Sequence, residues 1–188
     1  GDKLLAVIAR HQMEMGTLHG GGVVATSMSN MALEKYLESI GLHLKRTEVG
    51  DRYVSKFMRE NGYNVGGEQS GHIIMRDYVT TGDGIVAALQ VLAVLVEQGK
   101  PVSKVCNIFQ PFPQILKNVK FSGKNPMEDS SVQQAVIKAE KELGIKGRVL
   151  LRKSGTEPLL RIMIEGENQN QINTLAEDIA GVVKKVVG

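Results

Sequence analysis

The amino-acid sequence predicts an α/β protein in two parts, a βαβ domain with a mostly parallel sheet followed by a small α+β domain. Helical and strand periodicities alternate through the first hundred residues, which is typical of βαβ units. The 188 residues include 21 glycines and only five prolines, a balance that suits many tight turns. Prolines then cluster around residue 113, and the element order changes beyond them. We therefore predict one domain over residues 1–113 and a second over residues 114–188.

The first domain is expected to open with a helix and then enter its sheet. Lys3 to Met15 has helical periodicity, and three consecutive glycines end it before the apolar run at 23–26 predicts a strand. Either Ser29 or Asn30 can cap the helix that follows. Residues 42–47 alternate as a strand does. This succession predicts parallel strands joined through helices.

A third helix precedes a glycine-rich loop. Asp51 can cap this helix, whose apolar positions predict that Val54, Phe57 and Met58 are buried. Asn61 and Gly62 form a typical helix end. The glycine-rich loop then leads to a short strand.

An unusually apolar helix closes the first domain. It follows the strand at 73–75 and a turn at 81–84, and from Ile85 to Val96 it is interrupted only by Gln90. The run is too short to span a bilayer. We therefore predict a helix that is buried on most of its sides.

The second domain is expected to have the order β-α-β-β-α. Strands are predicted at 115–121, 148–152 and 159–165, and the last two are joined by a tight loop. A helix begins at Ser130, with Gln133 placed for a capping box. A final helix has one continuous apolar side. Together these elements predict a small α+β domain.

Charge and composition narrow the classes of function. The net charge of +3 and the pI near 9.0 come from scattered basic residues, and aromatic residues make up only 4% of the chain. The chain therefore has few aromatic side chains on which the bases of single-stranded nucleic acid could stack. We expect a small anionic ligand and no nucleic acid. The single cysteine, Cys106, excludes an intramolecular disulfide and fits a cytoplasmic protein. The N-terminus does not have the pattern of a signal peptide, and no membrane partner is expected.

One candidate site is the loop 152–158, Arg-Lys-Ser-Gly-Thr-Glu-Pro, between two predicted strands. A phosphate dianion requires converging guanidinium, hydroxyl and backbone N–H donors. Arg152, Ser154 and Thr156 supply the side-chain donors, and Gly155 permits the backbone to turn its N–H groups to one side. Arg161 follows closely. The alternative interpretation is a polar hairpin turn.

The second candidate site is the loop 66–72, Gly-Gly-Glu-Gln-Ser-Gly-His. Its glycines let the backbone approach a ligand, and Glu68 can accept hydrogen bonds from sugar hydroxyls or an ammonium group. Ser70 adds a small donor and acceptor, and His72 can exchange a proton near neutral pH. Glycine-rich loops are common, however, and a lone histidine is more often structural.

Taken together, the two loops resemble the α-D-phosphohexomutase superfamily, and within it the phosphoglucosamine mutase family. Gln69 favours that family over phosphomannomutase/phosphoglucomutase relatives, which usually have another residue there. The resemblance extends over essentially the whole chain, and further matching segments are Val24–Asn30, Val49–Val54 and Thr81–Gly84.

The resemblance implies an enzyme that interconverts glucosamine 6-phosphate and glucosamine 1-phosphate, for UDP-N-acetylglucosamine and cell-wall synthesis. A phosphoserine donates the phosphoryl group, a glucosamine 1,6-bisphosphate or glucose 1,6-bisphosphate serves as intermediate or activator, and Mg²⁺ assists. It also implies roles for residues of both loops. Glu68, Gln69 and Ser70 would contact the sugar. His72 would be a candidate general acid or base. The phosphate grip is assigned to Arg152, Ser154, Gly155, Thr156 and Arg161.

Two motifs of the superfamily are absent from this sequence. Neither the serine loop, typically Thr-Ala-Ser-His-Asn-Pro, nor the metal loop, typically Asp-Gly-Asp-Gly-Asp-Arg, occurs. The expectation is therefore a fragment comprising the third and fourth domains, with no metal ligands of its own, that is inactive without the missing N-terminal domains. Three alternatives stay open at this point. One is a stand-alone, non-catalytic phosphosugar-binding module, and another is a phosphomannomutase/phosphoglucomutase relative. The third, suggested by the basic pI alone, is an RNA-binding α/β protein.

Overall fold

The computed structural model describes residues 1–123, 125–154 and 157–187. The chain forms two compact units, Gly1–Pro111 and Phe112–Gly188. The first unit contains a four-stranded sheet that is largely parallel, and the second contains a three-stranded antiparallel sheet. The predicted fold class is therefore confirmed.

The first unit has the strand order β2-β1-β3-β4. Strand β1 pairs in parallel with β2 and β3, and only β4 runs antiparallel to its neighbour. The elements are α1 (Asp2–Glu14), β1 (Gly22–Thr26), α2 (Met31–Ser39), β2 (His43–Thr47), α3 (Asp51–Asn61), β3 (Val65–Gly67), β4 (Ile73–Met75), α4 (Gly84–Gln98) and α5 (Val102–Val105).

Helices cover both faces of this sheet. All five residues of β1 are buried, as expected for a central strand with helices on either side. Val23 and Ala25 belong to the core formed with α1, α2 and α4, whereas Val24 faces Val54 and Met58 of α3. The alternation of the strand thus divides its side chains between two cores.

The second unit has the predicted order β-α-β-β-α. Its sheet has the order β5-β7-β6, and its core lies between the sheet and two helices. The elements are β5 (Gln114–Lys120), α6 (Ser130–Leu143), β6 (Gly147–Lys153), β7 (Leu159–Gly166) and α7 (Gln169–Val187). Among the residues that the structure describes, no helix combines the length and the apolar character needed to cross a bilayer.

The helix starts differ in detail from those predicted. Gly50 occupies the cap position of α3, and Asp51 is already the first helical residue. Asp129, not Ser130, caps α6, because its carboxylate accepts a hydrogen bond from the N–H of Ser131. Asn30 caps α2 as expected, and Gly62 ends α3 in the left-handed conformation.

The prediction that the apolar helix is buried on most sides is wrong. In α4 only Ala87, Val91 and Val94 are buried, and large apolar side chains on its opposite side are exposed. The apolar run arises because α4 is hydrophobic around its whole circumference, while the first unit covers only one side. The sequence shows that the helix is apolar, but it does not show which of its sides is covered by other residues.

Candidate functional site

The glycine-rich loop lies at the edge of the first sheet where three parallel strands end. Strands β1, β2 and β3 run in the same direction, so their carboxyl ends, at Thr26, Thr47 and Gly67, share one edge. In open parallel sheets ligands bind beyond this edge. The structure therefore places the predicted sugar-reading loop where the fold favours a ligand.

Glycine is required in this loop by close backbone packing. A Cβ on Gly66 would lie 2.8 Å from the carbonyl oxygen of Val24, and a Cβ on Gly67 would collide with the carbonyl of His72. Gly71 has a φ of +102°, which favours glycine. The turn is closed by the N–H of Glu68, which donates to the carbonyl of His72 across 2.9 Å.

Glu68 is fixed by the main chain of a neighbouring loop. The N–H of Gly50 donates to its Oε1 across 3.0 Å, and only 12% of the Glu68 side chain is exposed. The carboxylate thus lies at the start of α3, where the helix dipole favours a negative charge. A partly buried carboxylate with one oxygen anchored in this way is a preorganised hydrogen-bond acceptor.

His72 lies beside Glu68 and Ser70. Its Nδ1 is 3.0 Å from Ser70 Oγ and 3.6 Å from Glu68 Oε2, and 66% of its side chain is exposed. At this nitrogen the Glu68 carboxylate can only accept a hydrogen bond, whereas the Ser70 hydroxyl can either donate or accept one. Gln69 is exposed on the same turn. The structure therefore brings the four residues of this loop together.

Two supporting residues were missed by sequence reasoning. Gly50 donates its N–H to the carboxylate of Glu68. Arg46, near the end of β2, donates a hydrogen bond to the main chain of the loop after β1. Arg46 Nη1 donates to the carbonyl of Ser29 across 2.6 Å, and Nη2 donates to Glu34 across 3.1 Å. The only signal in the sequence is their position at or just beyond a strand end.

The candidate phosphate site is built on the β6–β7 hairpin. Arg152 on β6 and Arg161 on β7 are directly opposite each other in the antiparallel register. Their side chains share the sheet face opposite α6 and α7, because the alternate residues Leu160 and Ile162 face the helical core. Like charges directly opposite each other destabilise a sheet, so this pair is unfavourable without an anion.

Within the described residues, neither of the two guanidinium groups has an opposite charge beside it. The Nε atoms of both arginines are buried and lack hydrogen-bond partners among the described residues, and no carboxylate in the described part of the chain forms an ion pair with either. Burial, and secondly the charge of Arg161, lower the pKa of Arg152. Such a pair offers charge and hydrogen-bond donors of the kind that bind anions.

Other residues of the hairpin loop have distinct surroundings. Ser154 is buried, and its N–H donates to the carbonyl of Leu159 across 2.8 Å, so only its hydroxyl remains for a ligand. That hydroxyl accepts from Arg161 Nη2 at 3.4 Å. Lys153 is exposed, with Nζ 5.8 Å from the ring centre of Phe121. The predicted residues Gly155 and Thr156 lie outside the described residues.

The part of the chain that the structure describes contains no group of three or more histidine, cysteine, aspartate or glutamate side chains placed to hold a metal ion.

Comparison with known proteins agrees with both halves of this description. Residues 1–112 match the family model for the phosphoglucomutase/phosphomannomutase alpha/beta/alpha domain III, and residues 116–182 match that for the C-terminal domain. The chain is 55% identical over 184 residues to a phosphoglucosamine mutase of Parvibaculum lavamentivorans. This alignment covers 98% of the chain but only 41% of that relative.

Solved structures show the same fold. An N-acetylphosphoglucosamine mutase of Aspergillus fumigatus, in complex with GlcNAc-6P and magnesium, superposes with a TM-score of 0.79 at 20% identity, over 97% of this chain and 46% of its own. The same enzyme in complex with glucose 1,6-bisphosphate gives a TM-score of 0.77 at 21% identity, over 100% and 43%. The matched domains and their order establish that the chain belongs to the phosphoglucomutase/phosphomannomutase family, of which it spans domain III and the C-terminal domain.

Proposed function

We propose that this chain is the sugar- and phosphate-recognising C-terminal part of a phosphoglucosamine mutase, which interconverts glucosamine 6-phosphate and glucosamine 1-phosphate in the cytoplasm. The identity of 55% to a phosphoglucosamine mutase over nearly the whole chain supports this substrate class. Because the chain spans 41% of that relative, phosphoryl transfer is assigned to the remaining part of the longer protein, where the serine would become phosphorylated.

The observation that carries the proposal is the uncompensated pair of Arg152 and Arg161. Two guanidinium groups that converge on one side of a hairpin can bind a phosphate with several charge-assisted hydrogen bonds. The hydroxyl of Ser154, buried beside Arg161, adds a neutral donor. Gly155 and Thr156 are proposed to complete the grip. Its purpose is to hold the phosphate that is not being transferred, so that the other end of the sugar is positioned for reaction.

The glycine-rich loop is proposed to recognise the sugar. Glu68, anchored through one oxygen by Gly50, would accept hydrogen bonds from hydroxyl or ammonium groups of the sugar. Gln69 and Ser70 are exposed on the same turn and add donors and acceptors. His72, with Nδ1 facing Ser70 and Glu68, would use Nε2 to accept a proton from a reacting hydroxyl.

The metal ion belongs to the proposal only through the longer protein. The described residues of this chain do not fit a magnesium site, because their carboxylates do not cluster. Mg²⁺ would supply charge neutralisation of the phosphoryl group where the rest of the enzyme holds it. The same part would carry the phosphoserine, with a glucosamine or glucose 1,6-bisphosphate as intermediate or activator.

Isothermal titration of this chain with glucosamine 6-phosphate, glucosamine and inorganic phosphate tests the assignment. We expect glucosamine 6-phosphate to bind more tightly than phosphate, and glucosamine to bind most weakly. The chain alone is expected to show no turnover of glucosamine 6-phosphate in the presence of glucose 1,6-bisphosphate and Mg²⁺. Equal affinity for phosphate and glucosamine 6-phosphate would contradict sugar recognition, and turnover by rigorously purified chain would contradict the division of labour.

A further inference from the structure

Strand β5 pairs with the other edge of β7 and brings a third basic side chain to the sheet face of the arginine pair. Val119 on β5 and Phe121 just beyond it belong to the core formed with α6 and α7. Because side chains alternate along a strand, Lys120 between them points to the opposite face. Arg152 and Arg161 lie on this same face, so three strands contribute to the surroundings of the candidate phosphate site.

The strand register places Lys120 next to the arginine pair, on the side of the hairpin loop. Lys120 is directly opposite Leu159 on β7, and on the other side of Leu159 the N–H of Ser154 donates to its carbonyl across 2.8 Å. Arg161 follows Leu159 by two residues, so it is a diagonal neighbour of Lys120. Diagonal neighbours on one face are about 7–8 Å apart, which is within reach of long side chains.

The side chain of Lys120 is exposed and forms no hydrogen bond or ion pair with another described residue. Lys117 on the same strand differs, because it faces the helices and pairs with Glu177 of α7. A lysine can lay its four-carbon stem on an apolar neighbour and extend its ammonium group to a charged one. Leu159 is partly exposed and supplies such an apolar surface between Lys120 and Ser154.

The charges on this face suit a phosphate dianion better than the arginine pair does alone. A phosphate group on a monoester has three acceptor oxygens, and lysine binds phosphate as a compact point charge beside the planar forks of arginines. The remaining β5 residues on this face are uncharged, so Lys120 is the cation that this strand can offer. They are Gln114, Leu116 and Asn118.

We propose that Lys120 is a third cationic ligand of the phosphate bound by Arg152 and Arg161, with its ammonium group extended over Leu159 toward a phosphate oxygen. The inference rests on the proposed phosphate site and adds to it a residue outside the loop motif 152–158. Its contribution is smaller than that of an arginine of the pair, because Lys120 is exposed and water screens its charge.

Titration of the chain with inorganic phosphate, followed by NMR chemical shifts, tests the third ligand. Lys120→Met keeps the apolar stem on Leu159 but removes the ammonium group, and we expect it to weaken the affinity about fivefold. Lys120→Arg keeps the charge and should retain most of the affinity. Lys117→Met is the matched control, since it removes the same charge from the opposite face of the same strand. Equal weakening by the two methionine variants would overturn the proposal, because it would reflect general positive charge.

Denaturant unfolding separates a binding role of Lys120 from a structural one. Without phosphate, Lys120→Met should unfold at the same denaturant concentration as the original chain, whereas in excess phosphate the original chain should be the more stable. Earlier unfolding of Lys120→Met without phosphate would assign Lys120 to packing and overturn the inference.

Arg152→Ala shows which proposal fails if the titration gives an unexpected result. Weaker phosphate binding in Arg152→Ala, together with less than about a twofold change in Lys120→Met, would overturn the third ligand and leave the phosphate site in place. Unchanged phosphate binding in Arg152→Ala would overturn the site itself and the inference with it.

Discussion

Two arginines on the same strand of the second unit have cross-strand neighbours of opposite charge. Arg148 and Arg152 are four residues apart on β6 and therefore face the same side of the sheet. Opposite Arg148 on β7 is Glu165, whose fully buried carboxylate accepts from Arg148 Nε at 2.6 Å. Opposite Arg152 is Arg161, which carries the same charge.

The difference lies in whether the charge of each arginine is compensated within the described residues. At the Arg148 end the carboxylate of Glu165 also accepts from Gln114 across 3.1 Å, so both edges of the sheet are tied to β7. At the Arg152 end the hairpin keeps two buried guanidinium Nε atoms without hydrogen bonds among the described residues. We propose that a bound anion supplies the missing charge at this end. Three substitutions test this contrast, and a fourth tests the glycine-rich loop of the first unit.

Removing the carboxylate of Glu165 is expected to have the largest effect. Glu165→Ala takes away the partner of Arg148 and the acceptor of Gln114, and breaking a buried pair costs about 3–5 kcal/mol. Denaturant unfolding should show this loss of stability. Glu167→Ala, which changes an exposed carboxylate two residues away, is the control and should be nearly neutral. A loss below about 1 kcal/mol in Glu165→Ala would contradict the structural role.

Removing Arg152 is expected to change binding rather than stability. Arg152→Ala should weaken the affinity for inorganic phosphate by about 10- to 100-fold, since a hydrogen bond to a charged group contributes about 1.5–3 kcal/mol. The chain is titrated with inorganic phosphate, and the affinity is measured from the NMR chemical shifts of residues in the second unit. Lys153→Ala is the matched control, because Lys153 lies near Phe121 on the other face. If both substitutions weaken binding alike, phosphate is held by general positive charge rather than by the arginine pair.

The glycine-rich loop offers a parallel test in the first unit. Glu68→Gln keeps an oxygen for the N–H of Gly50 but removes the charge, so glucosamine 6-phosphate should bind about tenfold more weakly while inorganic phosphate binds as before. Calorimetric titration with each ligand makes the comparison. Glu48→Gln, an exposed glutamate in the neighbouring loop, serves as control. An equal loss of affinity for glucosamine 6-phosphate and for inorganic phosphate would contradict the proposal that Glu68 recognises the sugar.

The smallest expected effect is a gain in stability. Replacing Arg152 by leucine ends the repulsion with Arg161, and like-charged cross-strand pairs cost about 0.2–1 kcal/mol. Without phosphate, Arg152→Leu should therefore unfold at slightly higher denaturant concentration than the original chain. In excess phosphate the order should reverse, because only the original chain gains stability from binding. Destabilisation without phosphate would mean that Arg152 is structurally required.

Much of the fold could be predicted from local sequence. The elements of both units follow from apolar periodicity and from turn residues such as Gly62, which ends α3 in the left-handed conformation. The motif residues around Glu68 and Arg152 also stand out, because charged and hydroxyl side chains there lie within a few residues of glycine. Helix starts were less accurate, since Asp51 and Ser130 proved to follow the cap positions rather than occupy them.

What the sequence by itself determined was therefore the order of elements, the fold class and the two candidate loops, because these depend on periodicity and short-range backbone preferences. Only the tertiary structure decided which residues face each other. The pairing of Arg152 with Arg161 depends on strand register, the anchoring of Glu68 by Gly50 joins two loops across the sheet edge, and the exposure of α4 depends on which side of a uniformly apolar helix is covered. Contacts between distant segments leave no local pattern in the sequence. Composition could therefore predict that these residues form a helix, but not which side of α4 other residues cover.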